Sequence, residues 1–313
     1  MQREERLAWQ SKLVLLLTMP FIGAGLALQL PWWAAAFPVL AATVVGLSIL
    51  LGAAAWLTRS ATAWAALTGA VIAASVALST LQNSADLSRY GWMRIGYTAL
   101  TPLTALILIT SLATRFRRSR KEALGLAEAR HGRTSAQVAA NLGIAALAAL
   151  PATLMALENA GWLRLSSSKL HGLHGLFWST GLCFAPALAA LAESAADTVS
   201  SEIGQVLGGA PRLLTTLQRV APGTNGAVSL MGSLAGIAAA AFIAALGAWP
   251  LAGGWEFFGI TLAAGAFGLF FDSLLGATLE RRGWLNNNAV NFLSTLSAAA
   301  MALLLLARLP IGG

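Results

Sequence analysis

LAESAADTVSSEIGQVLGGAPRLLTTLQRVAPGTNGAV (residues 191–228) carries an apolar helix straight into a polar segment. The helix delivers Glu193, Asp197 and Glu202. The polar segment runs through Pro211-Arg212 and closes on Pro222-Gly223-Thr224-Asn225-Gly226. The chain has only 12 Asp and Glu among 313 residues, and three of them fall within these ten positions. Carboxylates are costly to hold near lipid and tend to mark function there.

The cost applies because the whole chain reads as membrane protein. It is 57% hydrophobic and 10% charged, with a mean hydropathy of +0.72, whereas soluble domains are nearer one quarter charged. The fold class expected is all-α, a polytopic membrane helix bundle forming a single integral membrane domain over residues 1–313. Apolar segments at 13–30, 32–57, 61–81, 93–113, 136–157, 171–193, 227–248, 254–276 and 288–308 each approach the roughly 20 residues that span a bilayer as helix. The charged start MQREERLAWQSK ahead of the first segment is similar to a signal peptide. It lacks a convincing cleavage site before Pro31 and reads as a retained first helix. Lone Cys183 admits no internal disulfide.

The net charge of +8 does not indicate nucleic acid, because Lys and Arg sit between the apolar segments as topology requires. With nine spans and a cytoplasmic amino terminus, 15 of the 20 Lys and Arg fall inside. Arg89, Arg94, Arg164, Lys169 and Arg308 fall outside. The same orientation puts Gln137, Asn141, the 193–226 stretch, Asp272, Ser273, Asn288 and Asn291 on one membrane face, the cytoplasmic one.

Glu193 and Asp197 are spaced i, i+4 and share a helix face; Gly204 suggests that the helix ends near Glu202. Clustered carboxylates repel unless a cation compensates. With no His or Cys beside them, oxygen ligands favour Mg²⁺ before Ca²⁺ or Mn²⁺. The competing reading is a polar helix end that caps and solvates itself. Asp272, about one turn inside the end of its apolar segment, should face the bundle interior, as metal ligand or as a packing partner for Arg or Asn. The two glycines flanking Thr224-Asn225 allow backbone amides to approach an anion at a helix start, or form an ordinary turn. Arg212 and Arg219 either clamp phosphate or mark topology. Gln137 and Asn141 hydrogen-bond into a site or join helices. The basic run from Arg115 to Arg133 attracts the headgroups of membrane lipids. Capping accounts for one of Asn286, Asn287, Asn288 and Asn291, but not for four.

Five ordered segments, GRTSAQVAANLG, ADTVSSEIG, PRLLTTLQRVAPGTNGAVSLMG, FDSLLGATLE and NNNAVNFLS, together resemble the integral membrane proteins of domain-of-unknown-function family 92. That family includes transmembrane protein 19 and a plastid phytyl-phosphate kinase. The resemblance covers about 55–310, with 1–55 less family-like. Val199 stands where the family usually has tryptophan, and Gly226-Ala227 replaces the usual glycine pair. The resemblance implies a kinase using a nucleoside triphosphate, preferably CTP, to phosphorylate an isoprenyl monophosphate such as phytyl or geranylgeranyl phosphate. It implies Asp197, Glu202 and Asp272 as catalytic Mg²⁺ ligands, with Glu193 beside them. Thr224, Asn225, Gly226, Arg212 and Asn288 then contact nucleotide phosphates, and Thr198, Ser273, Gln137, Asn141 and Asn291 complete a polar pocket. Cytidylyl transfer making a CDP-lipid, or transport of a phosphorylated lipid, are the alternatives.

Overall fold

The computed structural model describes residues 2–81, 95–127, 132–159, 184–248 and 254–308, with only the helix path given for 2–5 and 151–159. Ten α-helices run in order through them: α1 Gln2–Ala36, α2 Pro38–Leu57, α3 Ala63–Leu81, α4 Leu100–Arg115, the short α5 Arg118–Ala123, α6 Ser135–Asn159, α7 Ala185–Leu207, α8 Leu230–Ala248, α9 Gly254–Leu275 and α10 Asn287–Leu306. Six of these (α1, α2, α3, α8, α9 and α10) are long and apolar enough to cross a membrane, and α4 and the first part of α6 are shorter apolar helices. Among the described residues the bundle is all-helical, as expected, save for one antiparallel pair of two-residue strands, β1 Arg212–Leu213 and β2 Ala227–Val228. His131, His171, His174, Cys183 and the 171–183 part of the sixth expected segment lie outside the described residues.

The first two helices divide later than expected. A break at Pro31 is the natural sequence reading, yet α1 continues through both Pro20 and Pro31 to Ala36. A proline inside a helix forfeits one hydrogen bond, which packed membrane helices tolerate. Just beyond Pro31, Trp33 is fully buried and stacks edge-on against Trp32, with ring centroids 4.6 Å apart. The break falls instead at Phe37, whose φ of −143° and ψ of 68° leave the helical region before Pro38 opens α2. A residue before proline is disfavoured there, and proline suits a first helical turn.

Helix α7 is the axis of the bundle. Every residue from Ala185 to Ala196 is buried, and α4, α6, α8, α9 and α10 all pack on it. Seven alanines in those first three turns allow neighbouring backbones to come close, which is how helices associate where lipid removes the hydrophobic driving force. On α8, Gly236 approaches so closely that a Cβ there would stand 2.8 Å from the Ala196 carbonyl oxygen. Helices α1, α2 and α3 form a layer that joins the rest mainly through α6, with further contacts from α1 to α10 and from α3 to α4. Large apolar side chains such as Leu50, Leu57, Trp64 and Leu67 point outward, as a lipid-facing surface requires.

The helix also runs three residues beyond Gly204, ending at Leu207, and so presents Glu202 from a helical turn. At the far end of α9, a π-helical turn at Gly276–Glu280 widens the last coil, a feature often found at functional sites. All the interhelical loops that carry the expected site meet at this end. The start of α1 is tied to the α9–α10 connection, because Gln10 Nε2 donates to the Trp284 carbonyl at 2.7 Å and Asn286 Nδ2 to that of Leu7 at 2.8 Å. The α2–α3 and α5–α6 connections join through Arg133 N donating to the Ser60 carbonyl at 2.9 Å. The 208–229 excursion leans on Leu126 through Gly223 and on Ala277 through Gly226.

Candidate active site

At this end a polar cleft of about 360 Å³ opens between α6, α7, α9, α10 and the 211–229 excursion. Helix α7 contributes Asp197, Thr198 and Glu202. Helix α9 contributes Asp272 and Ser273, and its π-turn adds Glu280. The excursion contributes Thr224, Asn225 and Gly226. Gln137 and Asn141 from α6 and Asn287 and Asn291 from α10 complete the wall. Eleven of the fourteen residues assigned to the site from sequence, drawn from segments between Gln137 and Asn291, therefore line one space.

The other three are placed differently. Glu193 lies one turn deeper on α7, with 1% of its surface exposed and its Oε1 without a hydrogen-bond partner among the described residues. Arg212 sits outside the cleft, where its Nη1 donates to the Leu217 carbonyl at 2.8 Å and braces the excursion. Asn288 lines a neighbouring hollow, its Nδ2 donating to Ser11 Oγ at 2.9 Å. Asn287 takes the cleft position on that helix start, while Asn286 is the cap, accepting from Ala289 N at 2.9 Å.

The electrostatics of the cleft are acidic. Asp272 stands in the field of Asp197, Glu193 and Glu280. Asp197 is acted on attractively by Arg133 and repulsively by Glu202. Asp272 Oδ2 is buried without a hydrogen-bond partner among the described residues, and so is Oε1 of Gln205, another residue of the cleft lining. Buried acceptors with no donor are rare and costly unless something else satisfies them. Among the described residues, no three carboxylates converge tightly enough to enclose an ion by themselves. Mg²⁺ nevertheless keeps several waters and takes one or two carboxylates plus substrate phosphate oxygens. The donor set fits that open arrangement.

Two polar groups are fastened by contacts that hold the scaffold. Gln137 Oε1 accepts from Thr134 N at 2.7 Å and Gln137 N donates to Thr134 Oγ1 at 3.4 Å. This is a reciprocal capping box that starts α6. Asn141 bridges three helices, its Oδ1 accepting from Ser194 Oγ at 3.4 Å and Asn291 Nδ2 at 3.2 Å. The interhelical role weighed for Asn141 is thus present, and the residue still faces the cleft.

The sequence reading gives no site role to Arg133, Lys121 or Glu280, and of the neighbouring asparagines it selects Asn288 where Asn287 lines the cleft. Arg133 follows Gly132, whose φ of +74° and closeness to the Ser60–Ala61 backbone exclude a side chain. A glycine that must turn, followed by a capping box, was the available signal for an arginine held in place. Lys121 is buried and ion-paired with Glu202, and its Nζ also donates to the Ala113 and Thr114 carbonyls at 2.7 and 3.1 Å, closing the end of α4. Nothing in its basic surroundings distinguishes it.

A multi-pass helical membrane protein with an acidic, polar cleft at one end is the class that fold and site define. The chain belongs to the integral membrane protein family DUF92, whose match covers residues 45–299, beginning inside α2 and ending in α10. It is 35% identical over 217 residues to an uncharacterised membrane protein of Synechocystis, covering 68% of this chain and 75% of that one. It is 37% identical over 118 residues to an uncharacterised membrane protein of Methanocaldococcus jannaschii, covering 38% of this chain and 49% of the relative. With the chloroplastic protein VTE6 of Arabidopsis thaliana it shares 29% identity over 223 residues, 68% of this chain and 60% of that protein. The archaeal and plant relatives are thus matched over less than two thirds of their length. No solved structure matches the chain.

Proposed function

We propose that the protein is a lipid-phosphate kinase. It transfers the γ-phosphoryl group of a nucleoside triphosphate, CTP first among them, to an isoprenyl monophosphate such as phytyl or geranylgeranyl phosphate, at the cytoplasmic membrane face. The observation that carries this reading is Asp272. Its buried Oδ2, without a donor among the described residues, shares one cleft with Asp197 and with a glycine-turned Thr224-Asn225-Gly226 loop. A buried carboxylate oxygen with no donor among the described residues, in repulsive contact with other carboxylates and beside a loop able to meet phosphate, is what a metal-nucleotide complex needs. The resemblance to a family with a plastid phytyl-phosphate kinase supports the choice of acceptor, and one of the relatives is a chloroplastic protein. The excess of Lys and Arg on the loops of this face supports the cytoplasmic placement.

Asp197 and Asp272 would hold Mg²⁺, which when bound supplies neutralisation of phosphate charge. Arg133, set by the turn at Gly132, would hold phosphate oxygens bidentately. The Thr224 hydroxyl already donates to the Ala221 carbonyl at 2.7 Å, which holds the loop in shape before substrate arrives. In the reaction an oxygen of the acceptor monophosphate forms a bond to the γ-phosphorus while the bond to the β-bridging oxygen breaks. A nucleoside diphosphate leaves. The acceptor oxygen is already ionised, so no strong base is required, and positioning with charge stabilisation carries the step.

Purified protein in nanodiscs, given Mg²⁺, γ-labelled CTP and geranylgeranyl monophosphate, should form labelled geranylgeranyl diphosphate. Transfer from α-labelled rather than γ-labelled CTP would replace the kinase by a cytidylyltransferase. Movement of acceptor across vesicles without nucleotide consumption would replace it by a transporter.

A further inference from the structure

A second cavity, of about 420 Å³, lies between α2, α3, α4 and α6 and is lined mainly by apolar residues. Its walls are Leu103 and Leu106 of α4 and Val138 and Leu142 of α6. Small residues of α3, among them Ala66, Gly69 and Ala73, make the space. From Arg115 at the mouth to Leu103, α4 descends roughly 18 Å at 1.5 Å per residue, over half of the ~30 Å hydrocarbon layer. The mouth is basic: Arg59, Arg115, Arg118 and Arg133 stand there, with Glu122 the acid among them. Glu122 is ion-paired with Arg118 at 3.1 Å. Arg133 and Asn141 line this cavity and the acidic cleft alike.

An apolar slot that starts at arginines and runs into the membrane interior suits an amphiphile with an anionic head and an aliphatic tail. We propose that this groove is the tail site of a lipid monophosphate whose head is held at Arg133, on the border with the acidic cleft, and that the α3 face around Gly69 sets how long a tail fits. Charge complementarity and the shared wall decide the occupant. A neutral membrane lipid tail would find no use for the arginines, and a soluble phosphate no use for the groove. The inference rests on the phosphate-handling reading of the cleft, and adds where the acceptor lies and what selects it.

Gly69 is the position from which to test it. A Cβ there meets only Val138 Cγ1, at 3.7 Å, so the backbone admits a side chain and the groove receives it. The probe is farnesyl monophosphate bearing a diazirine at the tail end, photolysed on the full protein in nanodiscs without nucleotide, with crosslinks mapped by mass spectrometry. Crosslinks on Ala73, Leu103 or Leu106 are expected. Labelling should fall at least tenfold in Gly69→Leu, stay within twofold in Gly69→Ala, and be competed by farnesyl monophosphate but not by farnesol. Crosslinks confined to the lipid-facing Trp64 and Leu67, or equal competition by farnesol, would overturn the proposal. The wild-type map decides the matter even if Gly69→Leu does not fold. Probe in the groove of a protein that transfers no label would keep the tail site and remove the kinase. Label transfer with crosslinks elsewhere would do the reverse.

Discussion

The ammonium of Lys121 on α5 is ion-paired with the carboxylate of Glu202 on α7, across 81 positions of sequence and with only 1% of the lysine side chain exposed. The same ammonium closes the last carbonyls of α4. One buried cation therefore fastens α4, α5 and α7 at the rim of the cleft. Removing one partner of a buried pair leaves the other charge uncompensated. Lys121→Met should lower stability by about 3–5 kcal/mol. The double variant Lys121→Met/Glu202→Gln should recover part of that loss. Thermal unfolding in detergent reads both, and a double variant no better than the single one would dismiss the pair as the cause.

Asp272 gives the opposite expectation for stability. Its neighbours in charge are Asp197, Glu193 and Glu280, and Oδ2 is without a donor among the described residues. Asp272→Asn should abolish label transfer, and without metal it should melt no lower than the wild type, because it relieves repulsion. Saturating Mg²⁺ with nucleotide should stabilise the wild type by about 2.7 kcal/mol at a hundredfold excess over Kd and leave the variant unmoved. A residue kept only for packing would instead show a lower melting temperature with transfer intact.

The excursion after α7 depends on Gly226. Its φ is +73°, and an added Cβ would run into the Ala277 backbone in the π-turn of α9. Gly209, with φ +64°, has nothing within 4 Å of such a Cβ. Gly209→Ala should cost only the backbone penalty, about 1–2 kcal/mol. Gly226→Ala should cost more and reduce activity at least tenfold, because the loop can no longer dock beside Asp272. Equal effects of the two on melting and turnover would remove the docking explanation.

Much of this arrangement is legible in the sequence, and the rest fails for physical reasons. Asp197, Asp272 and Asn291 are conspicuous because polar groups are rare and costly in apolar helices, and alternating loop charge assigns them to one face. Val199, where the family usually has tryptophan, packs against the core and lines a separate apolar hollow between α4, α7 and α8 rather than the cleft. Hydropathy is blind to which of two prolines ends a helix. Pro31 is tolerated and Pro38 is not, because α1 finds packing for Trp33 beyond the first and α2 starts on the second. Periodicity is equally blind to long-range partners. Lys121 and Arg133 share a run with five other basic residues in the expected cytoplasmic set, and only the turn at Gly132 and the approach of α7 distinguish them.

Arg133 against Arg212 is the comparison that separates the sequence reading from the structural one. Arg212 spends a nitrogen on the Leu217 carbonyl and lies outside the cleft. Arg133 borders both the acidic cleft and the apolar groove, and its charge acts on Asp197. Losing a preorganised cation that meets the transferring phosphate should cost on the order of 10²-fold in kcat/KM, so Arg133→Ala should fall by about that factor. Arg133→Lys should recover only part, since an ammonium keeps the charge but not the planar two-pronged grip. Arg212→Ala should stay within about threefold, its loss being a loosened excursion. Steady-state label transfer under subsaturating acceptor measures all three variants. If Arg212→Ala proved the more damaging, the phosphates would have to sit against the excursion, and the border between cleft and groove would lose its assigned role.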